Sequence, residues 1–179
     1  MLKRNKYHPL ARHQIPLMSV RTAGGLTLTG TEVADTFSIV PGGWGVGTLY
    51  LLGEEAAGAE TETSTLAFEY TLPPDYLAGQ DVKVIAQAKY TKDADCSAFT
   101  IDCEIYELSD AGAATAILAS SPEALATAFA DHTFTATATA LLPGDRILAM
   151  IQTVVTNTGG GDASRSFIGA IEVQADGSF

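Results

Sequence analysis

At 179 residues, with 46% apolar and 17% charged side chains, the chain is long enough for one domain with an appended arm and too apolar for a disordered polymer. The formal net charge of −11 is uneven: residues 1–21 hold Lys3, Arg4, Lys6, Arg12 and Arg21 and no acid, while the rest is strongly acidic. Such a body repels phosphate backbones, so nucleic acid is excluded except through the leading segment.

Residues 1–21 carry Pro9 and Pro16, scattered bases and no sustained period. They read as an extended basic N-terminal arm, either a disordered tail or a segment that docks on a partner. In the docking reading Lys3, Arg4, Lys6 and Arg12 supply charge, and Leu10, Ile15, Leu17 and Met18 supply apolar anchors. No apolar leader core occurs in the first 30 residues and no run approaches the ~18 apolar residues of a membrane span. The expectation is a cytosolically made product with no membrane partner.

Residues 22–179 read as one all-β domain. Weak strands are expected at 26–29, 36–40, 48–52 and 114–119. Strict alternation marks 65–72, 81–90, 97–108 and 132–141, each a half-buried strand. Arg146–Val155 is apolar on both faces, as a central strand or one in a subunit contact would be. The last run, 166–174, places Phe167, Gly169, Ile171 and Val173 inward. The stretch 122–131 fits a short helix, or a strand over 125–129. Turns such as Pro73–Pro74–Asp75 and Pro143–Gly144–Asp145 separate these runs. Twenty-one threonines and many alanines suit flat β faces. Eight to ten strands so spaced favour a β-sandwich or a barrel, and the expectation is a two-sheet antiparallel β-sandwich of jelly-roll type.

The search for chemistry yields little. His8, His13 and His132 form no metal-ligand spacing with the cysteines, so no metal or cofactor is expected. Cys96 and Cys103 lie roughly 20 Å apart on one extended run, too far for a disulfide. Cys103 has core parity and reads as a small buried hydrophobe. The glycine-rich 42–47 segment lacks phosphate-loop spacing; its Trp44 reads as a core plug, an interface anchor or a sugar-stacking ring. Glu54, Glu55, Glu60 and Glu62 read as a solvated acidic loop, and Asp93, Asp95, Asp102 and Glu104 as oxygen ligands a Ca²⁺ could use. Nothing singles out a catalytic pair, and an enzyme is not expected.

The runs Phe68–Tyr76 and Asp81–Val84, then Phe134–Thr137, Leu142–Ile147 and Phe167–Val173, resemble the strand-and-turn cadence of jelly-roll virion proteins of bacterial viruses. The resemblance covers residues 65–174. It implies a capsid decoration or minor capsid protein, a virion structural component and homo-oligomer, trimer favoured, that binds the capsid protein through its arm. The alternative is a carbohydrate-binding or adhesive β-sandwich, with Trp44, Tyr50, Tyr76 and Tyr106 as a stacking platform.

Overall fold

The computed structural model describes residues 11–22, 35, 37–41, 49–91, 96–137, 140–159 and 164–175. In chain order these form β1 (Ala11–Gln14), a 3₁₀ turn (Leu17–Ser19), β2 (Arg21–Thr22), β3 (Ser38–Pro41), β4 (Leu49–Leu52), β5 (Thr61–Thr71), β6 (Val82–Thr91), β7 (Cys96–Leu108), β8 (Ala114–Leu118), β9 (Glu123–Ala124), β10 (Ala130–Ala136), β11 (Arg146–Asn157) and β12 (Arg165–Ala175). Every pairing is antiparallel.

Sheet A has the order β10-β6-β12-β4-β3, with β1 also on β12; sheet B has β2-β5-β11-β7-β8, with β9 also on β7. From β4 to β7 the chain changes sheet at every strand, and from β10 to β12 it does so again. The first run pairs back onto the second, β4 with β12, β5 with β11 and β6 with β10. This is jelly-roll connectivity, a long hairpin rolled across two sheets.

The alternation read from the sequence supplies the core. Leu66 and Phe68 of β5, Val82, Val84, Ala86 and Ala88 of β6, and Phe99, Ile101, Cys103 and Ile105 of β7 are buried. They meet Ile147, Ala149, Ile151 and Val155 of β11. Each large aliphatic among them contributes about 1.5–3 kcal/mol by leaving water. The rings of Tyr90 and Phe99 stack across the two sheets at 3.6 Å. Thr153 of β11 and Ser166 of β12 satisfy each other in the same interior at 2.7 Å. The turn before β11 closes with Leu72 N donating to Asp145 O and Gly144 N to Leu72 O; Gly144 has φ +90, where a side chain would be strained.

Three expectations are corrected. First, residues 11–22 are not a free arm. β1 zips onto β12 and β2 onto β5, Ile15 and Val20 are buried, and Leu17 packs on the same core. These apolar anchors are satisfied by the chain's own sandwich, so the domain begins at or before Ala11. Lys3, Arg4, Lys6, Leu10 and Trp44 lie outside the described residues, as does the side chain of Met18. Second, 122–131 is not helical and 125–129 is not a strand; the stretch holds the short β9, an irregular crossing between sheets and the first residues of β10. Third, β12 carries a bulge between Ile168 and Ala170 that inserts Gly169. The inward set is therefore Ser166, Ile168, Ile171, Val173 and Ala175, and Phe167 faces out.

Strand β11 is central in its sheet, between β5 and β7. Its outward Leu148, Met150 and Val154 are half-buried.

Candidate functional site

The outer face of sheet A gathers side chains that sequence spacing keeps far apart. Lys89 of β6, Phe167 of β12 and Leu52 of β4 form one row across the sheet. The extra residue Gly169 follows on β12, and Phe129, just before β10, lies over it. A Cβ at Gly169 would stand 3.1 Å from Phe129 Cε1. Phe129 thereby reaches Tyr50 of β4, and their rings stack at 5.6 Å and 14°. Lys89 Nζ sits 4.9 Å from the Phe129 ring centre and 5.0 Å from that of Phe167. Tyr50, Phe129, Lys89 and Phe167 are all half-buried, so ring surface remains in contact with solvent.

Phe129 is delivered by a stitched crossing. Leu125 is buried and its N–H donates to Phe99 O at 3.0 Å, and Tyr90 N donates to Ala126 O at 3.0 Å. The buried His132 places Nδ1 2.9 Å from the Glu123 carboxylate, tying the end of β9 to β10. The segment therefore runs from sheet B around the edge of the sandwich to sheet A with both ends held.

Beside the rings lies a shallow cavity of about 100 Å³, lined by Arg12, Ile85, Gln87, Asp131, Ala170 and Glu172. Its floor is small and apolar at Ala170 and Ile85. Its walls are polar: Arg12 reaches to 3.6 Å from Glu172 on one side, and Gln87 opposes Asp131 across the β6–β10 ladder on the other. Gln87 and Asp131 are exposed. The cavity lies where the neighbour of β12 changes from β4, paired at 167–168, to β1, paired at 172–175. A ring surface beside a polar concavity is the combination an amphipathic small ligand needs.

Of the anticipated stacking platform, Tyr50 stands on this face and Trp44 lies outside the described residues. Tyr76 is buried, its hydroxyl donating to Gln80 O at 2.6 Å. Tyr106 stands on the outer face of sheet B, hydrogen-bonded to Glu104. Phe129, Phe167, Lys89, Gln87, Asp131 and Glu172 were not anticipated. Gly169, a glycine inside an otherwise regular strand, was the sequence signal for the bulge that turns Phe167 outward. Of the arm residues, Arg12 joins the site, whereas Ile15 and Leu17 serve the core.

The remaining groups are otherwise occupied. Cys96 and Cys103 are free thiols. Burial pushes the Cys103 thiol far up, with Asp102 and Glu104 adding to it, so it is no nucleophile. Cys96 donates to Ser164 Oγ at 2.6 Å. A second dip, of about 110 Å³ on sheet B, is lined by Thr65, Asp102, Glu104, Ser120, Met150 and Gln152. Among the described residues no aromatic ring lines it, and Asp102 already accepts from Ser121 N and the Ser120 hydroxyl. At the start of β5, burial and then the charges of Glu54 and Glu60 hold the Glu62 carboxyl above its ordinary value. Asp93 and Asp95 lie outside the described residues.

Fold and face together define a jelly-roll β-sandwich with an amphipathic patch on one sheet. No family model and no curated protein matches the sequence. Solved structures similar to it include the CBM22-1 xylan-binding domain of Paenibacillus barcinonensis Xyn10C, with 8% identity and a TM-score of 0.48 over 94% of this chain and 95% of that one. The xylan-binding module CBM15 is similar at 10% identity and 0.48, over 96% and 100% of the two chains. A CBM4 module is similar at 17% and 0.41, over 88% and 85%.

The expectation of a virion, capsid or decoration protein is corrected: the similar structures reported above are carbohydrate-binding modules, none of them a virion protein. Half of the arm meant to grip a shell is built into both sheets instead.

Proposed function

We propose that the chain is a carbohydrate-binding β-sandwich module whose ligand lies on the outer face of sheet A. The observation that carries this reading is the half-exposed Tyr50, Phe129 and Phe167 cluster bordering the cavity of Arg12, Gln87, Asp131 and Glu172. A pyranose ring has one face of C–H groups and a rim of hydroxyls. The rings take the apolar face at low entropic cost because their own packing already holds them. Gln87 offers both donor and acceptor, Asp131 and Glu172 accept, and Arg12 donates, so both ends of a hydroxyl find partners. The site is open on the sheet surface, which suits binding along a polysaccharide.

Affinity electrophoresis of the intact chain through gels containing soluble polysaccharides tests the reading. Retardation by at least one glycan, relieved in both Tyr50→Ala and Phe129→Ala with folding retained, is the expected result. Free migration through every glycan would overturn it.

A further inference from the structure

The charge on this same face narrows the ligand, an inference that rests on the glycan reading above. The whole chain is acidic at −11, yet its bases are not spread evenly. Of the six basic residues among those described, Arg12, Lys83, Lys89 and Arg165 stand at outward positions on the strands of sheet A. Only two acids, Asp131 and Glu172, share such positions. Two of the bases are already engaged: Arg12 faces Glu172 at 3.6 Å, and Arg165 Nε donates to Glu55 at 2.9 Å.

Lys89 differs from these. Among the described residues no carboxylate lies within ion-pair distance of it, and its ammonium is steadied by the two phenyl rings. Rings fix the position of a cation but accept none of its three N–H bonds in the manner of an oxygen. The ammonium therefore keeps donors for an incoming anion at the point where a sugar would lie. A ligand covering the rings also removes water from Lys89, which strengthens any charge pair made there. The acidic groups elsewhere weigh little: sheets are roughly 10 Å apart, and at physiological salt the screening length is about 8 Å.

We propose that this face selects glycans whose sugar units bear an anionic group, with Lys89 pairing with that group while the rings hold the sugar. A uronate carboxylate and a sulfate ester share the required chemistry.

The test compares chains matched in backbone and unmatched in charge. Polygalacturonate is set against its methyl ester, glucuronoxylan against arabinoxylan, and dextran sulfate against dextran, in affinity gels with the intact protein. A preference of about tenfold for a charged member is expected, the worth of one charge-assisted hydrogen bond. The favoured pair tells carboxylate from sulfate. Lys89→Met is expected to bring the ratio of charged to neutral retention close to one, and Lys89→Arg to preserve it; melting curves confirm that each variant folds. Equal retention of charged and neutral members, or an undiminished preference in Lys89→Met, overturns this inference alone. Retention by no glycan at all overturns the glycan reading, and this one with it.

Discussion

The ring of Phe129 stacks on that of Tyr50 although β10 and β4, the strands they adjoin, are separated in sheet A by β6 and β12. The contact exists because Phe129 lies over Gly169, where β12 presents no side chain. If this stacked pair is the sugar platform, each ring carries binding energy that the core does not need. Phe129→Ala and Tyr50→Ala are each expected to weaken glycan retention about tenfold, a loss of roughly 1.4 kcal/mol. Melting temperature is expected to fall by only a few degrees, because both rings are half-exposed. Affinity electrophoresis and thermal unfolding on the same samples check both halves.

Gly169 offers a gentler probe of the same geometry. A methyl there would press on Phe129 Cε1 at 3.1 Å and on Gln87 Oε1 at 3.4 Å. Its backbone is not left-handed, so alanine costs no dihedral strain and restricts the unfolded chain slightly. Gly169→Ala is expected to change stability by less than about 1 kcal/mol while weakening glycan retention severalfold. A variant that binds as well as the parent would show that the ring's position over β12 is irrelevant to the ligand.

The sequence carried the layered core because alternation is local: Val82 to Ala88 and Phe99 to Ile105 announce their inner faces without reference to any partner. It carried the site poorly, for a physical reason. A bulge adds one residue and reverses parity from that point on, so counting by twos along Ser166–Gln174 turned Phe167 inward when it points out. Phe129 was hidden because an irregular segment has no period at all, and its place is set by Leu125, Ala126 and the Glu123–His132 contact. The leading segment misled through its prolines and bases. Ile15 and Val20 follow no alternation, and their burial comes from the edges of two sheets that are remote in sequence.

That misreading makes its own prediction. Ile15 is buried where β1 leaves β12, and Val20 where the chain crosses to β2. Truncating either leaves a cavity in the shared core. Ile15→Ala is expected to cost about 2–5 kcal/mol, and Val20→Ala on the order of 2 kcal/mol. Urea unfolding followed by tryptophan fluorescence or circular dichroism reads both. A free arm predicts no change in the midpoint for either.

The acidic cluster at the start of β5 predicts a pH dependence. Glu62 holds its proton to higher pH when folded, first because burial disfavours its charge and then because Glu54, Glu60 and Asp35 repel it. In the window between the ordinary glutamate value and the raised one, the folded state binds more protons than the unfolded state. Stability attributable to Glu62 therefore falls as pH rises through that window, and the full penalty stands at neutral pH. Glu62→Gln removes both the charge and the repulsion. It is expected to stabilise the protein at about pH 7 by roughly 0.5 kcal/mol or less, since the group is partly exposed and its neighbours are screened. At about pH 3, below the titration of ordinary glutamates, the gain vanishes. Adding salt to about 1 M at neutral pH shrinks it as well, because repulsion between surface carboxylates is screened within a few ångströms. Unfolding curves of the parent and variant at the two pH values decide the matter: a gain of equal size at both would mean that charge repulsion is not its source.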